Sequence, residues 1–276
     1  IANAHTIFNI ANTFIFIGFT TQIARLVEKI IPDTPLEEEG MVVRAKYLSE
    51  ELLTTPTLAL DRVRLEVLHM GEKVQEMLDR IMPAILSGNR ETLREIRDMD
   101  EEVDLLYDQI IGYMGRISKQ SLSDYEMQDF LQLMSAVGDL ENIGDTIETN
   151  LVDLGFDRID AGISISEPTR EVISNFHQVV HRAFEGAVHA VSQSNLDAAK
   201  AVVEMKQEIT DAVNSAAAHQ AERLVAEEPN RIPAYTIEID IIEKQKRIYS
   251  FARSMAESVI SPDSAKRKLD TVRVEG

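Results

Sequence analysis

From residue 57 to residue 86 an apolar side chain returns every three or four positions: Leu60, Val63, Val67, Met70, Val74, Met77, Leu78, Ile81 and Ile85. That interval is the pitch of an α-helix with one buried face; a strand alternates its faces every second residue and cannot carry it. The predicted helix is long, and Pro83, which has no N–H to donate, should kink its last turn. Ser87, Gly88 and Asn89 stop it, and Asn89 is placed to cap a second helix running to about Ile117. Ser121 or Ser123 then starts a third, ending near Gly155.

A second set comes next. Pro168 suits a first helical turn, and Val172, Ile173, Phe176, Val180, Phe184, Ala187, Val188 and Val191 repeat the helical interval. Ser194 and Asn195 end one helix and cap the next, which runs to about Ala226; Pro229 and Pro233 separate it from a last helix over roughly 234–260. Shifted back by 106 positions, Asn195 falls on Asn89, Met205 on Met99, Val180 on Val74 and Val191 on Ile85. This reads as duplication of a three-helix unit, each unit burying its apolar face on its neighbours. The expected fold class is all-α: two tandem three-helix bundle units, residues 57–160 and 161–261, in an elongated arrangement with a charged tail over 262–276. With 44% hydrophobic residues among 276, the chain can bury a sizeable core.

The polar faces carry the chemistry. Residues 139–150 read Asp-Leu-Glu-Asn-Ile-Gly-Asp-Thr-Ile-Glu-Thr-Asn; on a helix Glu141 and Asp145 stand four apart and Glu148 three further on, so one stripe holds three carboxylates. Gly144 removes a side chain next to Asp145, where another helix or a ligand can come close. On the second helix Asp100, Asp104 and Asp108 form a similar stripe. Two antiparallel helices could face these stripes toward each other and hold a hard cation through oxygen ligands. The plainer alternative is a solvated acidic face, in a chain with 47 acidic against 28 basic side chains. In the second unit the offset of 106 puts Lys206 for Asp100 and Thr210 for Asp104, and an offset of 102 puts Glu243 for Glu141 and Arg247 for Asp145. The cation site is therefore not duplicated, and Lys206 and Arg247 are expected to pair with Glu243 or other acids.

A net charge of -19 repels nucleic acid and free phosphate alike, so nucleic acid is not an expected partner, and a bound anion needs a metal bridge or a local basic pocket. No cysteine is present, which excludes disulfides and thiolate chemistry. A di-iron bundle needs two Glu-x-x-His motifs, and the chain has one, Glu66 to His69. His177 and His181 share a helix face as two candidate ligands, against the alternative of ordinary interhelix residues. Gly-rich phosphate loops, serine-nucleophile motifs and dinucleotide fingerprints are lacking.

Residues 1–24 contain no Asp, Glu, Lys or Arg, a length of helix that could cross a bilayer, although Asn3, His5, Asn9, Asn12, Thr20, Thr21 and Gln22 are polar. We expect residues 1–31 to be the last, partial transmembrane helix of a longer protein, with Arg25 and Lys29 setting the remainder of the chain in the cytoplasm. A buried or partner-bound helix is the alternative. Pro32, Pro35 and the acidic run at 37–39 open a solvated linker over 32–56.

Leu140-Glu141-Asn142-Ile143-Gly144-Asp145 resembles the Leu-Glu-Arg-Ile-Gly-Asp signature of PhoU-type phosphate-regulation proteins, which are two tandem three-helix units, and Met99-Asp100 through Asp104 resembles their second-helix acidic pattern. Residues 1–31, with Ala2-Asn3-Ala4-His5-Thr6-Ile7-Phe8-Asn9, resemble the final membrane segment of bacterial sodium/phosphate cotransporters, which often end in a PhoU-like domain. The resemblance implies a non-catalytic, cytoplasmic regulatory domain of a sodium-coupled phosphate transporter at the cell inner membrane. It implies a divalent or ferric metal ion held by Asp100, Asp104, Glu141 and Asp145, and as partners the transporter's own membrane domain, sodium and inorganic phosphate through that domain, and a second copy in a homodimer. Asn142 departs from the family's Arg, and the second unit lacks the acidic pairs. The rivals are a free adaptor docking on a sensor kinase or separate transporter, and a carboxylate-bridged metal enzyme.

Overall fold

The computed structural model describes residues 44–224 and 231–260, all of them helical or in short connections, with no strand among the described residues. The expected transmembrane helix over 1–31, the start of the linker and the tail over 262–276 lie outside the described residues. Among those described, no helix is long and apolar enough to cross a membrane.

Helix α1 spans Pro56–Ser87, with proline at the first position, where a missing N–H leaves nothing unsatisfied. It stops at Gly88, whose left-handed backbone (φ 74°) lets its N–H and that of Asn89 reach the carbonyl of Ala84, at 3.0 and 3.1 Å. Asn89 Oδ1 then accepts the N–H groups of Glu91 and Thr92, both at 3.1 Å, and starts α2, Arg90–Ile117. The corner recurs 106 residues later bond for bond. Ser194 is left-handed (φ 49°), Asn195 N–H reaches Ala190 O at 2.9 Å, and Asn195 Oδ1 accepts from Asp197 and Ala198 at 3.1 and 3.0 Å.

Helix α3, Asp124–Asp145, begins with a reciprocal cap in which Ser123 Oγ accepts from Glu126 N–H and Glu126 Oε2 accepts from Ser123 N–H. It does not stop near Gly155. Residues Thr146–Leu151 widen into a π-helical turn and α4, Val152–Asp160, continues from it. Then come α5 (Glu167–Gln193), α6 (Leu196–Glu204), α7 (Lys206–Leu224) and α8 (Arg231–Ile260). The single helix expected to Ala226 is broken at Met205, whose N–H is shared between the carbonyls of Ala201 and Val202. Pro233 lies inside the first turn of α8 instead of ahead of it, where its lacking N–H costs no hydrogen bond.

The described residues form one compact unit with one continuous apolar core. Helix α1 packs on α2 and α3, α5 on α6, α7 and α8, and the two sets meet through α1 on α5 and α3 on α8. The α1–α5 crossing is antiparallel: Arg64 donates to Val191 O, Gln75 to Glu185, and Arg170 to Leu86 O, while the ring of His181 lies 2.5 Å from Asp79 Oδ1. At its centre Gly71 lets the backbone of α1 approach Val188, 2.8 Å from where a Cβ would sit. The described end of the 32–56 span is tied to the bundle by hydrogen bonds rather than left in solvent.

Candidate metal centre

Asp100 on α2 and Asp145 at the end of α3 come together because nothing stands between the helices at Gly144. A Cβ there would lie 2.7 Å from Asp100 Oδ1 and 3.3 Å from Val103 Cγ1. Asp100, Asp104 and Asp145 each offer one carboxylate oxygen, all within 4.8 Å of one another, and this is the sole such group of three acids or histidines among the described residues. Asp100 is the buried member, 7% exposed; the other two open to solvent. Like charges at 4.8 Å repel by about 1 kcal/mol in water and about 3 kcal/mol at an effective dielectric near 20.

The charged form of Asp100 is accordingly disfavoured. Burial, followed by the charges of Asp104, Asp145, Glu148 and Glu141, pushes its carboxyl up from 3.8 to about 7. Asp104 is raised by burial and then by Asp145 and Asp108, and Glu141 by burial and then by Asp145 and Asp104. Glu141 thus flanks the three aspartates without joining the tight group. Asp100 Oδ1 is buried and receives no hydrogen bond. A buried, unpartnered oxygen among repelling carboxylates is an arrangement that a hard cation satisfies, and three oxygens with open coordination positions fit a divalent or ferric ion.

The sequence puts Glu148 on the same stripe; in the structure it lies in the π turn, where one extra residue enters the helical circuit, and its charge still acts on Asp100 and Asp104. Glu148 turns to Arg97 at 3.4 Å, and Arg97 also holds Asp153 at 2.5 Å and lies over the ring of Phe156. Asn142, in place of the family's Arg, donates its amide to Gly138 O at 2.5 Å. Tyr107, beside Glu141, is not singled out by the sequence; an aromatic one turn beyond an acidic stripe carries no distinctive spacing.

The second unit holds no matching group among the described residues. Glu243 pairs with Lys246 at 3.8 Å, and among the described residues Arg247 lies over the ring of Phe251 rather than against an acid. Among the described residues His177 and His181 do not join a third residue around one metal position: His181 lies between Asp79 and Glu185, and His177 is buried at the α1–α5 crossing, where burial, then His181, holds it down at about 4. The lone Glu66-x-x-His69 motif is a buried pair with Oε1 and Nδ1 2.6 Å apart.

Residues 67–150, which hold the whole acidic group, match the family model described as "PhoU domain". Curated relatives match over longer stretches. A Salmonella typhimurium protein named "Putative inorganic phosphate export protein YjbB" is 23% identical over 261 residues, 94% of this chain and 47% of the relative. The protein of the same name from Escherichia coli K12 is 27% identical over 144 residues, 52% of this chain and 26% of the relative. The chain thus spans less than half the length of these curated relatives. Two crystal structures share the fold. PhoU from Pseudomonas aeruginosa has a TM-score of 0.67 at 20% identity, covering 73% of this chain and 95% of that one; the phosphate transport system regulatory protein PhoU from Streptococcus pneumoniae has 0.67 at 16%, covering 75% and 96%.

Proposed function

We propose that this chain is a cytoplasmic, non-catalytic regulatory module of an inorganic phosphate transporter of the inner membrane, sodium-coupled as the sequence resemblance implies, built of two tandem three-helix units over 57–160 and 161–261. Its expected partners are the transporter's membrane domain and, as a homodimer, a second copy. Within the first unit, Asp100, Asp104 and Asp145, with Glu141 beside them, hold a divalent or ferric cation. The observation that carries the reading is that Asp100, whose Oδ1 is buried against Gly144 without a hydrogen-bond partner, offers a carboxylate oxygen within 4.8 Å of those of Asp104 and Asp145. The names of the relatives support the link to phosphate, and the fold shared with PhoU supports the regulatory role.

A bound cation would supply positive charge to four acids that repel one another; the chain's own part is to hold their oxygens at fixed spacing on two packed helices. Elemental analysis of protein purified without chelator, beside an Asp100→Ala/Glu141→Ala/Asp145→Ala variant, tests this. Stoichiometric metal in the parent and none in the variant is expected; no metal in either would reduce the group to a solvated acidic face. For the transport role, the same substitutions made in the parent transporter should alter phosphate flux while leaving protein level unchanged.

The free adaptor is favoured by one observation, that the shared fold covers 95% and 96% of the two PhoU chains, so that those chains hold little beyond this bundle. Removal of residues 1–31 distinguishes the two: loss of membrane association supports the transporter module, and unchanged fractionation supports the adaptor.

A further inference from the structure

Among the described residues the Glu66-x-x-His69 motif has no metal-ligating companion, yet both side chains are buried, at 0% and 3% exposure. Burying an unpaired carboxylate costs several kcal/mol, so its partners show what it is for. Glu66 Oε1 accepts from His69 Nδ1–H, and Oε2 accepts the backbone N–H of Tyr47 at 2.8 Å. The ring of Tyr47 packs edge-on against His69, with centroids 6.4 Å apart. Glu66 is thus a receptor for the segment that enters α1.

Three further contacts hold the same segment. Ala45 N–H donates to Gln109 Oε1 at 2.9 Å, and Gln109 is itself fixed by its Nε2 on Leu105 O. The hydroxyl of Tyr113, a fully buried side chain, donates to Ser49 O at 2.7 Å, and Glu50 pairs with Arg116 at 2.8 Å. Gln109, Tyr113 and Arg116 all belong to α2, the helix that carries Asp100 and Asp104. Between strap and helix lies a cavity of about 390 Å³ lined by Ala45, Leu48, Glu50, Asp108, Gln109 and Arg116 among others. Asp108, one turn from Asp104 on α2, lines that cavity together with Glu50 and Arg116.

We infer that residues 45–50 form a latch, received by Glu66, His69, Gln109 and Tyr113, through which the acidic group on α2 is linked to the chain preceding the bundle. The linkage runs through α2 and rests on the proposed cation site. The helix that supplies Asp100 and Asp104 to the cation also supplies Gln109, Tyr113 and Arg116 to the strap, so cation binding and latch closure favour each other.

Hydrogen exchange of the full chain, read on peptides spanning 44–52, tests the latch with and without added Mg²⁺ or Mn²⁺. Gln109→Ala, at a half-exposed site, removes one receptor bond and should speed exchange of the strap about fivefold; Glu66→Ala, which also strands His69, should do so more than about tenfold. Peptides over 74–82 and 133–140 should be unchanged in Gln109→Ala, which guards against general unfolding. In the parent, cation should slow strap exchange severalfold, and Asp145→Asn should abolish that response. Unchanged strap exchange in both Gln109→Ala and Glu66→Ala overturns the latch. Cation binding seen by calorimetry without any response of the strap overturns the linkage, whereas absence of binding by calorimetry overturns the cation site itself.

Discussion

At the scale of single residues, Asp100 and Gly144 define each other. The glycine makes room for the carboxylate, and the carboxylate fills what would otherwise be a Cβ position. Gly144→Ala should destabilise the protein by about 1–3 kcal/mol and weaken cation binding, because the new methyl meets Asp100 Oδ1 and Val103 in a packed interface. Gly138→Ala, on the same helix with nothing within 4 Å, should instead be neutral or stabilise by up to about 1 kcal/mol in urea titration. The raised carboxyl of Asp100 gives a pH dependence with a definite sign. Its folded value, about 7, lies above the ordinary 3.8, so the folded state binds the extra proton. That contribution is fully present below pH about 4 and is lost as pH rises through about 7. With chelator present, Asp100→Asn should flatten this fall between pH 4 and 8, measured by chemical denaturation. How far Asp100 is buried was not legible in the sequence, because the spacing of Asp100, Asp104 and Asp108 is that of any exposed acidic stripe.

At the scale of elements, the two corners at Asn89 and Asn195 differ in one residue that matters. Gly88 adopts the left-handed conformation freely, whereas Ser194 adopts it against the steric preference of its Cβ. Ser194→Gly should therefore stabilise the protein by up to about 1 kcal/mol, visible as a higher denaturation midpoint with unchanged slope. The caps themselves were readable, because an Asn after Gly or Ser, between two helical patterns, has a local mechanism that needs no tertiary partner. The π turn at Thr146–Leu151 was not. Its sequence keeps an ordinary helical pattern, Ile143, Ile147 and Leu151, and the widening shows only in the folded backbone, where Glu148 pairs with Arg97.

At the scale of the whole molecule, the two three-helix sets share a core, with Phe176, Val180 and Phe184 of α5 buried in the same cluster as Val67, Met70 and Val74 of α1. The described region should consequently unfold in one transition, with coincident midpoints from probes placed in either set; two separated transitions would show independent units. His177 sits at their crossing, held neutral by burial at about 4 against an ordinary 6.5. A depressed histidine contributes stability that is present above about pH 6.5 and is lost as pH falls toward about 4, up to about 3 kcal/mol at 1.36 kcal/mol per unit. His177→Leu should remove this acid-side loss, a trend opposite in sign to that of Asp100. The helical interval, the stops and the 106-residue offset belong to the chain by itself, since periodicity and capping are set by neighbours within a few residues. So does the acidic stripe. Which carboxylates meet, that Glu148 pairs with Arg97, that Glu66 receives the backbone of Tyr47 and that the histidines face α1 were decided only by tertiary packing, because those outcomes depend on how two helices rotate and slide against each other, which no single helix encodes.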